Sequence, residues 1–286
     1  MELRAALYSL WSLALAAFLE WSELKHHISP ASNQSLPNGN CMATARDQSS
    51  ELVKFVRGEL TRIAEPAKAP AMAAYMKTNQ PFYGVARPKL NAALCKVMRL
   101  RFVPADRTRY ERSVLVLWRL RHREEQYAAI EYARQHPRFI VPQSMKLYEQ
   151  MIRQGAWWDL VDDIAEYLVG SAALAYRGQV RSILDRWIDD PDLWIRRTAI
   201  IAQVQHKEAT DDAQLFDYCL QRQNDKEFFI RKAIGWALRA YSKSNPEGVR
   251  DFLLANRGAF APLSLREGAK HLIRMGKLPA SFPAGK

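Results

Sequence analysis

Cysteine is scarce in this chain and placed where it can build nothing. Cys41, Cys95 and Cys219 are the only three in 286 residues. Their odd number and wide separation exclude a disulfide framework and the paired spacing of a zinc site, and favour a reducing compartment. The six histidines are scattered. The one adjacent pair, His26 and His27, has no acidic or cysteine partner at ligand spacing, so neither a metal nor any other cofactor is expected. No segment alternates apolar and polar residues for long enough to make a sheet. Acid is also in deficit: 30 Asp and Glu face 42 Lys and Arg, a formal charge of +12. With an isoelectric point near 9.7, that imbalance favours a polyanionic partner, nucleic acid or an anionic membrane surface.

What the chain does have is apolar residues, 48% of the total, enough to bury the core of one large domain or two small ones. The first 48 residues stand apart. Residues 5–19 form an uncharged, mostly apolar run, short for a membrane span, where about 20 residues are needed. The run has the length of a signal-peptide core, but Glu2 beside Arg4 leaves little positive charge before it. The sequence HHISPASNQSLPNGN follows and reads as a disordered linker. Met42 then opens what looks like an ordinary cytosolic start. Residues 1–48 are therefore expected to be an extension, a mis-assigned start or a disposable leader, and 49–286 the working domain. The location that follows is cytoplasmic, with no stable membrane association and a monomeric chain.

From residue 49 the apolar positions recur at spacings of three and four, as in ELVKFVRGELTRIA, RSVLVLWRLRH, QYAAIEYARQ and DFLLANR. This is the period of amphipathic helices, so the fold class is all-α. The breaks fall at HPRFIVP, DDPD and SNPEG, short joints of the kind that connect helical hairpins. WIRRTAI (194–200) and FIRKAIG (229–235) superimpose at an offset of 35 residues, which also carries Asp162 onto Arg197. A helical repeat of that period predicts an α-solenoid of HEAT-like repeats with a concave basic groove, in which residues one repeat apart are neighbours. Asp162, Arg197 and Trp236 are thus expected to converge.

The segment WWDLVDDIA, 157–165, carries the most pointed chemistry. Trp158 and Asp162 are four residues apart and share one helix face. A carboxylate with aromatic faces from Trp158 and Trp236 would attract a cation, an interaction of about 0.5–2 kcal/mol per ring. Trp157 and Trp194 are expected in the core, and Asp159 and Asp163 on a solvated helix surface. Arg196, Arg197, Arg231, Lys232, Arg239 and Lys243, with Arg177, Arg181 and Arg186 between, are candidates to grip a phosphate backbone without reading sequence.

Four segments, AYMKTNQPFYGVARP, WWDLVDDIA, LWIRRTAIIAQ and FFIRKAIGWALRAYSKSNPEGVRDFL, together resemble the bacterial DNA alkylation repair proteins of the AlkD type, HEAT-like-repeat DNA glycosylases. The likeness runs from about Glu51 to Leu278. It implies a monofunctional glycosylase that removes cationic N3- and N7-alkylated purines from double-stranded DNA without swinging the lesion fully into a pocket. The resemblance places the catalytic aspartate on Asp162, the aromatic residues that meet the cationic base on Trp158, Trp236 and Tyr75, and a phosphate-holding arginine on Arg197. The N-terminal extension has no counterpart in the family pattern.

The chemistry suits these residues on its own terms. A purine alkylated at N3 or N7 leaves as a neutral base and needs no general acid, so one of the two carboxylates of ordinary glycoside hydrolysis becomes unnecessary. One aspartate can stabilise the oxocarbenium-like sugar and orient a water. Two alternatives remain open at this level: a non-catalytic solenoid that binds branched or distorted DNA, and a helical-repeat scaffold for proteins.

Overall fold

The computed structural model describes residues 41–282. The apolar run, the histidine pair and the linker all lie outside the described residues. Every regular element among the described residues is helical. The helices are α1 (Cys41–Arg62), α2 (Ala69–Tyr75), α3 (Arg87–Arg101), α4 (Arg107–Trp118), α5 (Arg123–Gln135), α6 (Met145–Gly155) and α7 (Trp158–Asp163). After a π-helical turn (Ile164–Val169) come α8 (Gly170–Ala175), α9 (Arg177–Trp187), α10 (Leu193–Ile201), α11 (Asp212–Gln221), α12 (Phe228–Tyr241), α13 (Pro246–Ala255) and α14 (Pro262–Arg274). The expected boundary between residues 48 and 49 falls inside α1, which starts at Cys41. A continuous helix, not a joint, occupies that position.

The helix ends follow local chemistry. Asp106, Asp192 and Asp211 each accept a backbone N–H of the helix they precede, relieving donors that have no partner in the first turn. Asn245 does the same for α13, whose first residue is Pro246, a position where the missing N–H costs nothing. The breaks anticipated at Pro137, Pro142, Pro191 and Pro246 all separate helices, the first two as single 3-10 turns.

Alternate helices build one continuous row. The α5 helix packs on α7 and the π-turn, these pack on α10, α10 on α12, and α12 most extensively on α14. This is the stacking of an α-solenoid of helical repeats. Along the row, equal positions recur every 35 residues: Tyr127 on α5, Asp162 on α7, Arg197 on α10, Lys232 on α12 and Glu267 on α14. The α12–α14 contact is close because Gly235 has no side chain; a Cβ there would lie 2.4 Å from Cβ of Glu267 and 2.8 Å from the Ser264 carbonyl oxygen. Buried apolar residues from Leu52 to Phe282 form a single cluster beneath the helices, the main favourable contribution to folding.

Candidate active site

Helix α6 ends on Ala156 in the left-handed conformation, φ 36°, and Trp157 continues in an extended conformation before α7 begins. This turn makes Trp158 the first residue of α7 and sets Asp162 one turn above it. Both face a cleft of about 360 Å³ lined also by Tyr75, Arg197, Phe228, Phe229 and Lys232. The Tyr75 ring meets Trp158 edge-on at 6.2 Å and is 69% exposed.

The segment that follows Tyr75 is anchored to α5. The Glu124 carboxylate, fully buried, accepts backbone N–H groups from Tyr83 at 3.0 Å, Gly84 at 2.9 Å and Val85 at 3.0 Å. Gly84 has φ +83°, and a Cβ there would lie 2.1 Å from the Glu65 carbonyl oxygen, so only glycine fits this bend. The NQPFYGVARP stretch is thus a backbone cradle around a carboxylate on α5.

Asp162 and Arg197 form a bidentate pair. Nε of Arg197 donates to Oδ1 at 2.7 Å and Nη2 donates to Oδ2 at 2.8 Å, while Nη1 donates to the Phe229 carbonyl at 2.6 Å. The arginine side chain is 6% exposed and the aspartate 15%. Burial pushes the Asp162 carboxyl above its ordinary value of 3.8, and the Arg197 charge and hydrogen bonds oppose that rise. The Arg197 guanidinium carbon also lies 5.9 Å from the Phe229 ring centre and 5.8 Å from that of Trp236. The expected meeting of Asp162, Arg197 and Trp236 therefore occurs in space.

Several expected placements are corrected. Arg197 does not stand open for a phosphate: its nitrogens are committed to Asp162 and Phe229, because the 35-residue offset brings an acid and a base side by side. Trp236 is half-buried behind Arg197 and is not among the residues that line the cleft. Asp159 is not solvated; it accepts from Arg123 at 2.5 and 3.0 Å and from the Tyr127 hydroxyl at 2.5 Å. Asp163 is bound by Arg87, which also reaches Glu131 at 3.2 Å. The three acids of α7 thus pair with arginines from three different helices, and the ion pairs pin that helix in place.

The other cations of the anticipated groove are largely paired as well. Arg196 donates to the Asp190 and Pro191 carbonyls and lies 3.3 Å from Asp225. Arg231 donates to the Asp225 carbonyl, and Lys232 and Arg239 both bond Glu267. Arg177 and Arg181 pair with Asp211, and Arg186 donates to the Ser182 carbonyl on its own helix. Lys243 is exposed. Trp194 is buried as expected. Trp157 is half-buried, its ring 5.9 Å from Trp194 and 5.5 Å from Phe229.

Phe228 and Phe229 of the cleft lining, and the nearby π-turn residue Glu166, escaped the sequence reading. Phe228 is 56% exposed at the start of α12; its signal was the doubled phenylalanine of FFIRKAIG, since adjacent helical positions cannot both face the core. Glu166, in the π-turn, is buried and accepts from Gln205, and burial raises its carboxyl to about 8. Nothing in the sequence announces a π-turn, a feature frequent at functional sites.

No group of three metal-ligating side chains occurs among the described residues, and no described helix is long and apolar enough to cross a membrane. The family model for DNA alkylation repair enzymes matches residues 56–272. The chain belongs to the DNA alkylation repair enzyme family. A solved structure described as a predicted DNA alkylation repair enzyme from Enterococcus faecalis is similar to it, with 30% sequence identity and a TM-score of 0.65. The match covers 73% of this chain and 96% of that one. No curated protein matches. The matched residues include every helix that lines the cleft, α2, α7, α10 and α12.

Proposed function

We propose that this DNA alkylation repair family member is a monofunctional glycosylase that hydrolyses the N-glycosidic bond of cationic N3- and N7-alkylated purines in duplex DNA. The observation that carries the reading is the placement of the Asp162 carboxylate in an open, aromatic-rimmed cleft, ion-paired to Arg197 and one helical turn from Trp158. An anion there faces the charge that develops on the sugar as the base leaves. Trp158 and Tyr75 offer π faces to the positively charged base, an attraction that ends when the base departs neutral. The second carboxylate that ordinary glycoside hydrolysis employs to protonate the leaving group is not needed. Water enters from the open side of the cleft and loses its proton to Asp162 as it attacks the sugar.

The role of Arg197 in this scheme is to position Asp162 and keep it charged against the effect of burial. The cleft is open, which suits recognition of a lesion that stays close to the duplex instead of entering a deep pocket.

The test is release of free base from a duplex containing N7-methylguanine under single-turnover conditions. Wild type is expected to release it, and Asp162→Asn to lose excision while retaining affinity for the duplex. Undiminished excision by Asp162→Asn would remove the carboxylate from the mechanism.

A further inference from the structure

A cleft that takes a cationic base has a lysine in its wall. Lys232 lines it beside Arg197. The single negative charge of Asp162 is already matched by Arg197, so a free ammonium at Lys232 would leave the cleft positive and repel the very charge it is to receive. Lys232 is not free. Its Nζ donates to Oε1 of Glu267 at 2.9 Å, on the far side of α12 from Asp162 in the repeat row.

Glu267 is built for this task. It is buried, lies one 35-residue repeat beyond Lys232, and is brought against α12 by the missing side chain of Gly235. It also accepts from Arg239 Nη1 at 2.5 Å and Lys270 Nζ at 2.7 Å. Burial by itself would raise its carboxyl; the bonds from Lys270, Lys232 and Arg239 prevail and hold it at about 2, so it is ionised at any pH used for assay. Arg239 and Lys270 are absent from the cleft lining. Lys232 is the one member of the group through which Glu267 acts on the cleft.

We infer that Glu267 is a positioning residue that sets the cleft's preference for a positively charged base, by holding the Lys232 ammonium on its own carboxylate and so weakening its repulsion of the ligand. The inference rests on the cationic-base reading above. The column Asp162, Arg197, Lys232 and Glu267 then has an acid at each end and a base paired with each, so that neither cation meets the ligand without a counter-charge. Glu267→Gln keeps the size and hydrogen-bonding capacity of the side chain but releases Lys232 with its charge unmatched.

The experiment compares wild type, Glu267→Gln and Glu267→Gln/Lys232→Met. It uses single-turnover release of N7-methylguanine from duplex, and the binding preference for methylated over unmodified duplex. Glu267→Gln is expected to slow release about tenfold, the scale of one unscreened charge near a partly buried site, and to reduce the preference for the methylated duplex. Adding Lys232→Met is expected to restore both. Glu267→Gln behaving as wild type would overturn the inference. So would a loss that Lys232→Met fails to restore, since that outcome assigns Glu267 only to the packing of α12 on α14. A wild type that releases no methylpurine overturns the glycosylase reading alone, and the duplex preference then decides on Glu267.

Discussion

Replacing Arg197 with methionine separates the two parts of the buried pair. The substitution keeps the aliphatic bulk between Phe229 and Trp236 but strips Asp162 of two charged hydrogen bonds, at 2.7 and 2.8 Å. Breaking a buried ion pair by removing one partner costs about 3–5 kcal/mol. Because Asp162 keeps contact with an open cleft, a loss of about 3 kcal/mol is expected for Arg197→Met at neutral pH. The pH dependence has a definite sign. Burial already raises the Asp162 carboxyl above 3.8, and without Arg197 nothing opposes it. The unfolded chain then gives up this proton at lower pH than the folded one, so the destabilisation is present above the folded value and disappears below the ordinary one. Urea unfolding at about pH 7.5 and about pH 5 should show a smaller loss at the lower pH. The double variant Asp162→Asn/Arg197→Met should be more stable than Arg197→Met alone, by about 2 kcal/mol, as the unpaired charge is gone. Excision has a matching signature: it requires the carboxylate, so the acid limb of its pH profile moves to higher pH in Arg197→Met. Equal destabilisation at both pH values with an unmoved acid limb would refute the pairing argument.

Glu166 offers a second pH test. Its carboxyl is raised by burial from 4.5 to about 8, so wild-type stability falls as pH rises through that window. Glu166→Gln should therefore gain about 3 kcal/mol on wild type between about pH 5 and 8 in urea unfolding, and parallel curves would disprove it. Glu124→Gln removes the charge that holds three backbone N–H groups. It should cost about 2 kcal/mol and speed amide exchange at Tyr83, Gly84 and Val85 without changing exchange in α12; unchanged exchange at those amides would contradict the cradle.

The helical class, the hairpin joints and the 35-residue period were legible in the sequence because they depend on local spacing. Apolar residues at three and four, Asp or Asn before a helix and proline at its first position act within a few residues. The period also sufficed to bring Asp162 to Arg197 and Arg197 to Trp236, since in a stacked array equal positions become neighbours. Partnership was not legible. Asp159 and Asp163 look like surface acids on a short helix, yet Arg123 and Arg87 reach them from chain positions 36 and 76 residues away.

The sequence by itself thus determined the elements, their repeat and the meeting of Asp162 with Arg197. Only the tertiary structure decided which charges remain available in the cleft. Arg197 became a partner of Asp162, Lys232 a partner of Glu267, and Trp236 a support behind Arg197, while Phe228 came out to the rim. The reason is physical: a charge is either a ligand contact or half of an ion pair according to what lies within about 4 Å of it, and that distance is set by how helices pack.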